Sequence, residues 1–563
     1  MPQLVEERAP RRGPRLLEGA LFAFLLAAHL WPLVALPRIP TQDGPSHQAL
    51  AFAMAVYDRP EGAPLRQWFV PNEELLPNAF LFHAEAQLIR NAGIDAATAE
   101  KLVVAGYVLL LPLALLFALR GVTRDAGSLA TLGFPFIYNF LTNLGFLNFG
   151  YGLAGYLLAL GVLLRQRHTA GWRRGALVLL LALVALGVYT CHPVPLVVLA
   201  VSVATLGGWW SWRASRRLGE ELPPPLWRAA GRELAPPALA VAPALGLFVA
   251  FLDGRGDEHT RWEPFLATAR QLFTLETLAS LDRRTVWVAG ALAAFLVWLL
   301  LEELRRRATQ AARQPGAPRP AEGLLLLTLV AGAMAFVSPD DVAGGGFLVD
   351  RLTLFPPLLL LLWLAGGRWP RGLRWAVQGV AVAIALAMLT LLWQRWVEID
   401  GYLGDYLAAA ERIETGRTAV PLSFAHQVTA ASGELVPFRV FPFVHAMGYV
   451  AAQRPVVDLG RYEATTDLFP LRFRPEVDPY RHLATMPGGL EWAPPFVDLP
   501  RFERQTGRRL DYVLIWLPDA PARTEPSALD LYRQLEEGWE RIYVSPRGLA
   551  ELWRHRQAAT RAG

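Results

Sequence analysis

A single cysteine, Cys191, and a single lysine, Lys101, are the scarcest reactive residues of this 563-residue chain. One cysteine can neither close a disulfide within the chain nor supply a cysteine-based metal site. Also missing are a phosphate-binding glycine loop, a nucleophile elbow and a dinucleotide fingerprint, which leaves Rossmann-type cofactor binding unsupported. The apolar stretches do not alternate with polar residues, and this disfavours a β-barrel. No repeat period or low-complexity tract stands out. The first apolar stretch follows Arg8, Arg11, Arg12 and Arg15 but lacks a small-residue cleavage site, so it reads as a retained span and not as a signal peptide.

What the chain has in plenty is apolar sequence. Hydrophobic residues make up 53%, and they come in blocks of about 20, the length that crosses a bilayer core as a helix. Eleven spans are expected, at 17–37, 97–119, 126–142, 146–164, 175–191, 193–212, 236–252, 285–303, 322–337, 351–367 and 373–394. Arginine then sorts by side. With a cytoplasmic N-terminus, the inside loops hold Arg120 and Arg124, Arg165 to Arg174, Arg213 to Arg232, Arg305 to Arg319, and Arg368 to Arg374. Every predicted inside loop agrees with the positive-inside rule. The net charge of +5 is thus a topology signal and calls for no nucleic-acid partner. The richness in Ala, Arg, Gly and Pro suggests a high-GC bacterial genome, hence a bacterial inner membrane.

These features predict an all-α polytopic membrane domain over 1–395, followed by a small extracytoplasmic α/β domain over 396–563. The first outside loop, 38–96, is expected to be structured, with helices over Pro45–Tyr57 and Asn78–Asn91 lying flat at the membrane surface. In the tail, Ala419–Phe424, Pro455–Leu459, Asp511–Trp516 and Arg541–Val544 read as strands, with a helix near Ser527–Glu537.

Asp43, in Thr41-Gln42-Asp43-Gly44-Pro45-Ser46-His47, is the leading candidate for chemistry. A carboxylate at the apolar membrane edge becomes more basic and could take a proton from an acceptor hydroxyl. Asp before Gly-Pro is also a helix cap, and the two roles are compatible. His47 and His83 share this loop, as hydrogen-bond donors to a phosphate, metal ligands or plain amphipathic surface residues. His192 sits in a tight outside turn, where a polar group is costly unless it lines a cavity. The loop 253–284 carries Asp253, Asp257, Glu258, His259, Arg261 and Glu263, which could hold a divalent cation or simply be solvated charge. Asp350 and Arg351 follow a glycine run. Arg351 opens a span on the outside face, where its fork suits a lipid phosphate, headgroup snorkelling or a pair with Asp350. The tail adds His426, His445, Asp458 and Arg461.

A first span followed by an acidic outside loop that folds as two helices resembles the GT-C superfamily of membrane glycosyltransferases. The residues that carry the resemblance are Thr41 to His47, Pro77-Asn78-Ala79-Phe80-Leu81-Phe82-His83, Gly145-Phe146-Leu147-Asn148-Phe149-Gly150, Thr190-Cys191-His192-Pro193, and Gly344-Gly345-Gly346 through Asp350-Arg351. The resemblance implies transfer of a sugar, with inversion, from a polyprenyl-phosphate or pyrophosphate carrier outside the cytoplasm, with Asp43 as the base. The acceptor is left open between glycan, lipid and protein. Three features depart from the superfamily pattern. Asp43 has no adjacent acid, no metal ligand set carries over, and the oligosaccharyltransferase signature of the soluble domain is not evident.

The leading expectation is therefore a lipid-linked sugar transferase in which Asp43 deprotonates the acceptor and Arg351, with His192 or Arg261, holds the leaving phosphate. A transporter or flippase would be expected to place charge at mid-membrane, and the span interiors hold almost none. A non-catalytic envelope scaffold with a partner-binding tail is the third expectation.

Overall fold

The computed structural model describes residues 12–74, 76–216, 223–253, 260–313, 322–342, 345–367 and 369–557. Nine of the described helices are long and apolar enough to cross a membrane: Leu16–Ala35, Ala96–Leu119, Leu147–Gln166, Gly171–Cys191, Pro193–Ser215, Ala235–Leu252, Thr285–Thr309, Leu348–Ala365 and Arg371–Ala410. A tenth apolar helix, Glu322–Val337, is shorter.

The eleventh expected position, 126–142, is not one helix. It breaks into Gly127–Thr131, a 3-10 turn at Phe134–Phe136, and Phe140–Leu144. Gly133 and Pro135 interrupt the helical bonding, and Asn139 restarts it by accepting from the Thr142 amide at 3.1 Å. The segment still runs the length of the first helix. Gly127 packs beside Glu18 near that helix's start, and Gly145 packs beside Asp43 just past its end. Broken backbone at such depth is tolerated only when it is buried in protein, and residues 128–145 are buried.

The last of the long apolar helices, Arg371–Ala410, continues through 395 without interruption. Its apolar stretch stops near Arg395 because the helix there enters a polar cluster. Arg395 is buried and meets Asp282 at 3.1 Å, Glu398 at 2.9 Å and Glu434 at 2.8 Å. Further on, Asp405 accepts from Arg547 Nε at 2.7 Å and ties the helix end to the C-terminal sheet.

That sheet has five strands, in the order Val457–Asp458, Thr418–Ser423, Tyr512–Trp516, Ala550–His555, Trp539–Val544. The first three are parallel and the last two antiparallel. Tyr512–Trp516 is central and buried along its whole length, which its unbroken apolar run requires. The helix Pro526–Gly538 packs beside Trp539–Val544.

The first of the two expected loop helices is not an exposed amphipathic helix. Gly44–Val56 is buried along most of its length between Phe80–Ala92 and the turn Gly448–Ala451. Its apolar residues surround the whole helix, and a helix apolar all round belongs in a core. Gly448 has no side chain to clash with the Pro45 carbonyl, which lies where a Cβ would stand. The strand Phe69–Pro71 pairs antiparallel with Leu471–Phe473, with Phe69 opposite Phe473. Loop and tail thus share one core.

Candidate functional site

Asp43 is placed by backbone before its side chain makes any contact. The Gln42 amide donates to Asn143 O at 3.0 Å and the Asp43 amide donates to Leu144 O at 2.8 Å. Asn143 is itself fixed by Ser280 at 3.0 Å and by Trp396 at 3.3 Å. Asp43 stands at the cap position of Gly44–Val56 but makes no side-chain capping bond. Its φ and ψ, −94° and −13°, are already helical, so the carboxylate does not swing back over the first turn as an extended cap residue would. The capping reading is corrected on this point. The carboxyl turns instead toward the tail.

There Tyr462 Oη donates to Asp43 Oδ2 at 2.8 Å. Oδ1 has no hydrogen-bond partner among the described residues, and it lies 3.7 Å from His445 Nε2. The His445 ring lies over Tyr462, centroids 4.9 Å apart, and bonds the backbone of Gly460. Next to Tyr462, the buried Glu463 accepts from the Ser46 hydroxyl one turn into the first-loop helix. Tyr480 donates to Glu491 Oε1 at 2.8 Å.

Burial dominates the electrostatics of this cluster. It lifts the Asp43 carboxyl to about 8, with Glu463 and Glu491 adding to the rise while Tyr462 and Gln42 oppose it. It lifts Glu463 to about 7. It drives His47 down to about 4 and His445 down to about 3, so both rings are neutral near pH 7. Asp43 is a carboxyl poised near neutrality, as a general base needs to be.

A second group of polar residues shares a wall with the first. The short helix Phe140–Leu144 and Phe146 flank Gly145, which packs on Asp43. The Arg351 guanidinium lies 4.9 Å from the Phe146 ring centre, and that of Arg439 lies 4.2 Å from the Phe140 ring centre. Arg351 donates to Gly346 O, and its buried Nε has no partner among the described residues. Asp350 turns to Thr277 at 3.2 Å and toward Arg439 at 3.7 Å. Tyr462 and His192 are both within electrostatic reach of Arg351.

The other expected residues fall as follows. His47 is next to Asp43, but its ring packs edge-on to Phe82 at 5.0 Å, and its buried Nε2 is unpartnered. His192 caps its helix by accepting from the Val194 amide and packs on Phe149. His83 is exposed on Phe80–Ala92. Arg261 is engaged by Asp340 at 2.9 Å and Asp341 at 2.8 Å, so it fastens the loop that leads to Arg351. Asp257, Glu258, His259 and Gly344 lie outside the described residues. Among the described residues, no three His, Cys, Asp or Glu side chains gather as a metal site.

Tyr462 and Arg439 had no sequence motif to mark them. His445 was visible only as one of several tail histidines.

What fold and site define is a polytopic helical protein with a small mixed sheet in its C-terminal region and a buried carboxyl between its first loop and that region. No family model and no curated protein matches the sequence. Among solved structures, it is similar to the archaeal oligosaccharyltransferase AglB from Archaeoglobus fulgidus in complex with an inhibitory peptide and a dolichol-phosphate. The likeness covers 97% of this chain and 75% of that one, at 12% identity and a TM-score of 0.43.

Proposed function

We propose that the protein is a membrane glycosyltransferase that moves a sugar from a polyprenyl-phosphate-type donor to an acceptor on the extracytoplasmic side, with inversion. The observation that carries the reading is Asp43: a buried carboxyl that accepts from Tyr462 through one oxygen, with the other oxygen buried and unpartnered among the described residues, and with the carboxyl raised to about 8. Ionised, Asp43 takes the proton of the acceptor hydroxyl as that oxygen attacks the sugar carbon. The bond from sugar to phosphate breaks on the opposite side, and the carrier phosphate leaves with the electron pair. Arg351 stabilises that phosphate in this reading, which its buried, unpartnered Nε supports. Arg439 and His192 stand in support.

The test is ligand-induced stabilisation of the full chain in detergent by a set of polyprenyl-phosphate sugars, since a ligand that prefers the folded state raises the melting temperature. One donor is expected to stabilise wild type and Asp43→Asn, and to lose its effect in Arg351→Ala. No shift with any donor, in a set that spans hexoses and pentoses, would contradict the assignment of Arg351.

A further inference from the structure

Asp43 has two oxygens in different surroundings, and both surroundings come from the C-terminal region. Oδ2 receives the Tyr462 hydroxyl at 2.8 Å. Oδ1 faces His445 Nε2 at 3.7 Å, too far for a hydrogen bond. His445 is buried and neutral, and its ring interacts with the Gly460 backbone. A neutral imidazole has one donor and one acceptor nitrogen. With the ring proton on Nδ1, Nε2, which faces Oδ1, carries a lone pair and offers it no hydrogen.

The other leading influences on the carboxyl are acidic or neutral. Glu463 and Glu491 act on it from the tail, and the Gln42 side chain from the preceding residue. The charges of Arg461 and Asp458 act on Glu463. The Tyr462 hydroxyl is thus the leading influence that favours the ionised carboxylate against burial.

We propose that Tyr462 and His445 are positioning residues for Asp43, with the Tyr462 hydroxyl occupying Oδ2 and the His445 ring leaving Oδ1 as the oxygen that takes the proton. This rests on the reading of Asp43 as the base, and it adds that the reactive carboxyl is completed only when the C-terminal region is docked on the first loop. Tyr462 comes from the turn Tyr462–Thr465, and His445 from the stretch before Gly448–Ala451, which packs on Gly44–Val56.

The experiment is an infrared titration of the protonated carboxyl band in the full chain, reconstituted in lipid nanodiscs, with Asp43→Asn used to assign the band by difference. It reads the carboxyl whether or not any sugar is transferred, so its failure leaves the transferase reading standing and is separable from it. Removing a hydrogen bond to a carboxylate destabilises the charged form, so Tyr462→Phe is expected to raise the Asp43 midpoint by about one to two pH units. Replacing Tyr462 with 3-fluorotyrosine makes the phenol a stronger donor and keeps its shape, and it is expected to move the midpoint the other way. Tyr449→Phe, which removes a hydroxyl bonded to the Ile39 carbonyl, serves as the control and is expected to leave the midpoint in place. If Tyr462→Phe does not fold, the fluorinated variant decides alone. A midpoint that stays unmoved with 3-fluorotyrosine, or that moves as much in Tyr449→Phe as in Tyr462→Phe, overturns the proposal.

Discussion

At the scale of single residues, the site is a set of backbone placements that leave one carboxyl in a costly environment. A buried carboxylate is disfavoured, and burial is the first cause of the Asp43 shift. Such a group persists only where its surroundings over-determine it. Gly145 is one of the residues that does so. Its φ is +107°, a conformation that L side chains rarely adopt, and a Cβ there would lie 2.9 Å from Gly44 N and 3.1 Å from Asp43 Cβ. Gly145→Ala is expected to cost about 1–3 kcal/mol in backbone strain. It is also expected to displace Asp43, so the thermal melting temperature of the purified protein falls. An unchanged melting temperature would show that the Gly145 conformation is not required. Gly145 and Asp43 were both singled out in the sequence, but their contact was not, because residues this far apart are joined only by the broken segment.

At the scale of elements, the pairing of Phe69–Pro71 with Leu471–Phe473 fastens the first loop to the tail. Phe69 is fully buried, stacks on Phe473 with centroids 4.8 Å apart, and lies 5.2 Å beneath the Arg461 guanidinium. Truncating a buried Phe to Ala costs about 3–5 kcal/mol, and here the loss falls on the joint that brings Tyr462 to Asp43. Phe69→Ala is therefore expected to lower thermal stability and to increase protease cleavage between the last long helix and the sheet. Intact resistance to protease would mean that the joint is held by other contacts.

Much at this scale was legible. The four strand runs and the tail helix lie where the short strand-like stretches and the helical stretch of the tail placed them. Ala550–His555 was missed because the buried Glu551 interrupts its apolar pattern. Glu551 accepts from Tyr532 at 3.0 Å, Trp553 at 3.0 Å and Arg541 at 2.8 Å, and only tertiary structure provides those partners. The segment 126–142 looked like a plain span because Gly133 and Pro135 alone do not reveal that neighbouring helices would bury its broken backbone. Gly44–Val56 was read as interfacial because the tail that covers it is hundreds of residues away in sequence.

At the scale of the whole molecule, the candidate chemistry gathers at one end of the apolar helices. Asp43, Tyr462, His445, Arg351 and Arg439 lie at that end, and the loops rich in arginine at the other. The account therefore expects the arginine-rich loops to face the cytoplasm. Cys191 is the only native cysteine, so Cys191→Ala gives a clean background for labelling. A cysteine at the exposed Thr309 should react from the cytoplasmic side alone, and one at the exposed Ser432 from the opposite side alone. Labelling of both from one side would contradict this orientation.

The central claim is that Asp43 is the base of a sugar transfer, and the most direct measurement is the transfer rate from a lipid-linked sugar as a function of pH, wild type beside Asp43→Asn. The carboxyl is raised to about 8 in the folded protein, so its basic form grows as pH rises through that value. The account predicts a wild-type rate that climbs through this range, and an Asp43→Asn rate at least about a hundredfold lower with no such climb, in protein whose melting temperature shows that it is folded. An Asp43→Asn protein that keeps the wild-type rate and the same pH profile would contradict it.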